Sequence, residues 1–175
     1  RLDDAKAVLD QAKSNGAKGD GFEKLENQLG LSTSKNSNVQ KPSQKELDSL
    51  ISLYNQKKLH QVFEETQKLT KKYTKSVILW NLMGASAAQI GQLDHAIEAC
   101  KKALTIKPDD ATTYSHMGGI LRKKGKLNEA IKAFEKALSI KPDFAEAYYN
   151  MGNALHDQNK PDEAIKAYNE AIKIK

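Results

Sequence analysis

Apolar and polar positions in this chain follow a helical rhythm, and the whole pattern returns every 34 residues. Within each block from 77 onward the large residues fall three and four apart, which puts them on one stripe of a helix. The phrases "LWNLMGASA", "TYSHMGGIL" and "AYYNMGNAL" stand in one register. The step links Trp80, Tyr114 and Tyr148, then Met83, Met117 and Met151, then Gly84, Gly118 and Gly152. It also links Ala96, Ala130 and Ala164, then Cys100, Phe134 and Tyr168, then Ala103, Ala137 and Ala171, with Pro108 and Pro142 closing the frame.

The spacing predicts two helices per unit, about 76–90 and 93–106 in the first, broken at Gly91 and, one unit on, at Gly125. Gly118 and Ala130 are expected to face each other where the paired helices cross, with Phe134 and Tyr114 filling the space on either side. Pro142 should end the second helix, and Asp143 is placed to cap the next. One such unit cannot bury its apolar face alone, so neighbours must stack.

Two weaker copies precede these. In 43–76, Leu50, Leu53, Leu59, Val62 and Leu69 keep the frame, but Ser49 and Leu50 replace Met-Gly and Thr74 stands in the proline slot. In 1–30, "RLDDAKAVLDQAK" matches only a second helix, over 2–13, through Leu2, Ala5, Leu9 and Ala12. A short helix over about 20–29 is expected after it. The polar run "STSKNSNVQKPSQ" reads as a flexible linker, with 31–42 as the segment between the two regions. The expected organisation is therefore 1–30, 31–42, a divergent unit 43–76, and complete units 77–110, 111–144 and 145–175, the last cut short.

This register resembles the tetratricopeptide repeat family, whose 34-residue pattern has these aromatic, Gly, Ala and Pro positions. The resemblance implies an all-α, right-handed superhelical solenoid of antiparallel helix pairs. It also implies that the first helix of each unit lines a concave, peptide-binding face. On that face the resemblance places Asn81, Leu82, Ala85, Ala88 and Gln89 in one unit, and Ser115, His116, Gly119, Arg122 and Lys123 in the next. The third contributes Tyr149, Asn150, Asn153, His156 and Asp157. Asn150 matches an asparagine that forms a backbone-holding ladder in the repeats of O-linked N-acetylglucosamine transferases, but His116 and Leu82 occupy the other two rungs. Glu146 and Ser115 stand where the carboxylate clamp of the chaperone-binding members needs basic or amide groups, which argues against that ligand.

Composition narrows the function classes. The chain has 28 Lys and Arg against 22 Asp and Glu, a net charge of +6. Unit 111–144 concentrates that excess, with seven basic and three acidic residues, while 77–110 carries a net −1. A basic middle suits an acidic peptide, and no aromatic-basic interleaving supports nucleic acid. A single cysteine, Cys100, rules out an internal disulfide and shares the register of Phe134 and Tyr168, so it reads as core. The four histidines, His60, His95, His116 and His156, include no pair at ligand spacing on a helix, and no metal or cofactor is expected. "GAKGDG" lacks the strand before it and the Gly-Lys-Ser/Thr after it that a phosphate loop needs. No apolar run reaches the roughly 18 residues of a membrane span, and a cytoplasmic location is expected.

The chain opens at Arg1 without an initiator Met and is expected to be part of a longer protein. The expected function is a non-catalytic protein- or peptide-binding scaffold. A second reading is the docking arm of a larger transferase, because bacterial sulfotransferases and glycosyltransferases are similar in arrangement. The last helix, with Ile165, Tyr168, Ile172 and Ile174, should present an uncovered end face, and Val8 and Leu9 another, so self-association is expected.

Overall fold

A computed structural model describes residues 41–174 of the chain. The helices expected over 2–13 and 20–29, with Val8 and Leu9, lie outside the described residues, as do all but the last two positions of the 31–42 segment. The described residues form eight α-helices: α1 (Gln44–Asn55), α2 (Leu59–Lys72), α3 (Val77–Gln89), α4 (Leu93–Ile106), α5 (Ala111–Lys123), α6 (Leu127–Ile140), α7 (Ala145–Asp157) and α8 (Pro161–Ile174). They fall into four antiparallel pairs in the 34-residue frame. The architecture is an all-α solenoid.

One turn chemistry is written four times. Positions 57, 91, 125 and 159 follow the first helix of each unit, and all four have positive φ, between 60° and 82°. The next residue sends its N–H back to the carbonyl five positions earlier: Lys58 to Leu53, Gln92 to Ala87, Lys126 to Leu121 and Lys160 to Leu155, at 2.9–3.0 Å. This is the Schellman closure, which satisfies a helix-end carbonyl and favours a residue without a Cβ at the left-handed position. Gly91 and Gly125 meet that demand freely, whereas Lys57 and Asn159 meet it with a side chain in place.

The helix starts differ from expectation at two points. Asp143 does not cap α7: the N-cap is Phe144 and makes no side-chain bond, because the turn after Pro142 runs one residue further before the helix begins. Ser43 and Gln44, read as the tail of a linker, are instead the cap and first residue of α1. There Ser43 and Glu46 form a capping box, with Glu46 Oε2 accepting from the Ser43 N–H at 2.7 Å. Where Pro142 was expected to end the second helix, α6 does stop, at Ile140.

The core runs as a string of clusters down the stack. Phe134 is fully buried among Leu121, Ala130, Ala133 and Ala154, which come from three helices of two units. The open side of Gly118 is covered by the Phe134 ring, and in the preceding unit Gly84 lies against the Ala96 carbonyl, the register equivalent of Ala130. Tyr114 lies elsewhere, against Ala111, Ala137, Leu138 and Ala147. Cys100 is buried beside Ala96 and Ala99, and that burial pushes its thiol up to about 12, so it acts as a small apolar side chain.

The divergent leading unit reverses the small and large positions. At the register position of Gly84, Gly118 and Gly152 it carries Leu50, and at that of Cys100, Phe134 and Tyr168 it carries Thr66. Both are buried. The Thr66 hydroxyl donates to the Val62 carbonyl at 2.7 Å, which satisfies it inside an apolar layer. Among the described residues no helix is long and apolar enough to cross a membrane.

Candidate functional site

First helices of successive units touch one another: α3 packs on α5, and α5 on α7. The second helices α2, α4 and α6 instead pack between the first helix of their own unit and that of the next, while α8 packs on α7. The first helices therefore make one continuous face, and the expected ligand-facing residues lie along it.

The structure distributes those residues in three ways. Some hold neighbouring units together. Asn81 Oδ1 accepts from the Thr113 hydroxyl at 2.9 Å, and that hydroxyl also contacts the Asp110 carboxylate. Burial works against ionising Asp110, but hydrogen bonds from Thr113 and Lys107, with the Lys107 charge, outweigh it and hold the carboxyl below its usual value. Gln89 donates to the Tyr54 hydroxyl. Arg122 Nη1 lies 3.0 Å from Asp157 Oδ2.

Ser115 is a different case. It is only 2% exposed, and its hydroxyl has no hydrogen-bond partner, so it cannot meet a ligand as placed. Register alone put it on the face, and the packing of the stack leaves it buried.

The remainder are available. His116, Lys123 and His156 are exposed, and Asn150 is half-buried. Tyr149 is 55% exposed, its ring 5.7 Å from that of Tyr168. Asn153 Oδ1 accepts from the Tyr168 hydroxyl at 2.9 Å, so this amide is held facing the end of the stack.

That end is itself a groove of about 740 Å³ between α7 and α8, lined by Ala145, Glu146, Tyr149, Asn153, Tyr168, Ala171 and Ile172. Sequence reasoning assigned Tyr149 and Asn153 to the peptide face and Tyr168 and Ile172 to the assembly face. The structure brings all four to one groove. The signal was within reach, since Asn153 and Tyr168 sit fifteen apart on paired helices, but only the crossing of those helices shows that they meet.

Ile172 is 71% exposed, whereas its register equivalent one unit earlier, Leu138, is 9% exposed. Ile165 and Ile174 are likewise exposed. The difference between Ile172 and Leu138 measures what a further layer covers inside the stack.

Comparison with known proteins follows the same register. A model described as "Tetratricopeptide repeat" matches residues 77–110 and 145–175, and one described as "TPR repeat" matches 118–159. No curated protein sequence matches the chain. Among solved structures, a crystal structure of MamA is similar at 24% identity over 95% of this chain and 94% of that one, with a TM-score of 0.70. A second MamA crystal structure gives 23% identity, 99% and 91% coverage, and a TM-score of 0.69. At these identities the likeness concerns the fold. The two repeat models together take in 77–110 and 118–175, more than half of the sequence, and the chain belongs to the tetratricopeptide repeat family.

Proposed function

We propose that this chain is a protein-interaction scaffold that takes an extended peptide along its first-helix face. The observation that carries the reading is the run of uncommitted polar groups on one continuous surface. Among the described residues, His116, Lys123 and Asn150 make no side-chain hydrogen bond, and they lie on helices that touch. An amide such as Asn150 can both donate to and accept from peptide backbone, which gives affinity with little sequence demand. Lys123 adds a preference for acidic residues, in keeping with the net +4 of its unit.

Asn81, Gln89 and Arg122 serve this role indirectly, by fixing the spacing between units. A peptide selected for binding to the chain from a random display library should lose at least tenfold in affinity, about 1.4 kcal/mol, on Asn150→Ala with Lys123→Glu. The melting temperature should hold. Equal binding by parent and variant at matched helicity would remove the first-helix face from consideration.

In the 175-residue chain the end groove supports self-association. Covering a side chain such as that of Ile172 completely is worth about 1.5–3 kcal/mol, which makes partial burial of Ile165, Ile172 and Ile174 a driving force for docking. The 175-residue chain should therefore show concentration-dependent association in analytical ultracentrifugation. Ile172→Lys with Ile174→Lys should shift it to monomer. A parent that stays monomeric at the highest concentration reached would rule out this use of the end face.

A further inference from the structure

A second groove lies on the opposite side of the stack, where α4 and α6 stand apart over α5. It holds about 380 Å³. Its floor is apolar, with Ile97, Met117 and Leu121, and its rim carries Lys101, Lys124, Lys126 and Lys132. Two of these lysines are matched within the protein: Lys124 pairs with Asp94, and Lys126 Nζ sits 2.6 Å from Glu129 Oε1. Lys101 of α4 and Lys132 of α6 also border the groove; among the described residues neither has a carboxylate within 4.0 Å, and the Lys101 charge reaches Glu129 only at longer range.

The other units supply an internal comparison. Stacking explains the floor, because Met117 and Ile97 recur one unit on as Met151 and Ile131, and one unit back as Met83 and Phe63. Stacking does not explain the lysine pair. The positions equivalent to Lys101 and Lys132 are Gln67 and Glu98 one unit earlier and Glu135 and Lys166 one unit later. Of these three position pairs, only the middle one is basic at both places, and with Asp94 and Glu129 set against Lys124 and Lys126 it leaves the groove lining a net two positive charges, which favours an anionic occupant.

From this combination we infer that the outer groove between α4 and α6 is a second docking site, for an acidic peptide segment that seats an apolar side chain on the floor. Carboxylates on either side of that side chain pair with Lys101 and Lys132. An apolar channel with flanking cations fits such a segment better than duplex nucleic acid, whose recognition rests on phosphate contacts along a broad charged face. This site is separate from the first-helix face, so the two surfaces can hold different segments at once.

The test uses the full chain and a fluorescein-labelled 12-residue peptide with Asp and Glu on both sides of a central Leu-Leu pair, read by fluorescence anisotropy. The control peptide replaces every carboxylate by its amide. The acidic peptide should bind, with affinity falling as salt rises, and the amide peptide should bind at least tenfold more weakly. Lys101→Glu with Lys132→Glu should lower affinity for the acidic peptide at least tenfold with helicity unchanged. Lys75→Glu with Lys136→Glu makes the same change in net charge at exposed positions outside the groove, and should cost less than threefold. Equal losses in the two double variants would overturn the proposal, since net charge alone would then explain binding. So would loss confined to Arg122→Glu with Lys123→Glu, which assigns the peptide to the first-helix face. Failure of the acidic peptide to bind, with heparin or anionic vesicles bound through Lys101 and Lys132 instead, would also overturn it.

Discussion

Phe134→Ala is expected to lower the unfolding free energy by about 3–5 kcal/mol, the range for deleting a fully buried aromatic side chain. Where the loss falls in that range depends on how far Leu121, Met117 and Met151, which belong to the same cluster, close over the vacancy. The ring covers Gly118, which has no side chain to move in, and its other neighbours include Ala130, Ala133 and Ala154, all too short to reach across. Against a typical domain stability of about 5–15 kcal/mol, this removes a large share. Ala154 belongs to the next unit, so the vacancy also loosens the junction between the two units. Urea unfolding followed by circular dichroism gives the comparison, with Tyr168→Ala as the matched case. Tyr168 holds the same register position but is half-buried at the end of the stack, and its removal should cost markedly less. A change within about 0.5 kcal/mol for Phe134→Ala, as at a surface position, would contradict the packing described.

The second large effect is a contrast among three glycines that the sequence makes look alike. A Cβ added at Gly118 would lie 2.7 Å from Phe134 Cε1, and one at Gly152 would lie 2.5 Å from Tyr168 Cε1. At Gly84 the nearest atoms are the Ala96 carbonyl oxygen at 3.4 Å and Cys100 Sγ at 3.5 Å, ordinary contact distances. Gly118→Ala should therefore destabilise by about 1–3 kcal/mol through overpacking, with Gly118→Leu worse still. Gly84→Ala should stabilise by up to about 1 kcal/mol, because alanine is the better helix former and nothing must move. Gly152→Ala should fall between, since the Tyr168 ring has an open side to shift toward.

A double-mutant cycle isolates the cause. In a Phe134→Cys background, which copies the pair Gly84 and Cys100, Gly118→Ala should lose its penalty. Persistence of the full penalty there would mean that backbone approach, and not the ring, sets the limit.

Much of this fold was legible before any coordinates, and the reason is periodicity. A 34-residue repeat presents the same packing problem several times, so each position is read against its copies and chance matches are filtered out. The helix break is an example: Gly91 and Gly125 mark it in the sequence, whereas the same left-handed turn at Lys57 and Asn159 emerged only from the structure. The capping box at Ser43 and Glu46 was also present as Ser-x-x-Glu, but a polar, proline-containing run in front of it disguised it as linker.

Local order along the chain determined the helices, their pairing, and which positions face inward, because those follow from 3.6-residue periodicity and turn chemistry within one unit. What crosses between units was decided only by the tertiary structure. Register could place Asn81, Gln89, Arg122 and Ser115 on a face. It could not show that the first three bond across to neighbouring elements, or that the fourth is closed over. Nor could it separate Gly84 from Gly118, whose difference lies in a side chain sixteen residues away on another helix. Two lysines, 101 and 132, are 31 residues apart in the chain, and only the splaying of α4 from α6 gives them a common groove. Such relations depend on where one helix crosses the next. That crossing is fixed by the summed volumes of the residues between them, and no single stretch of sequence contains that sum.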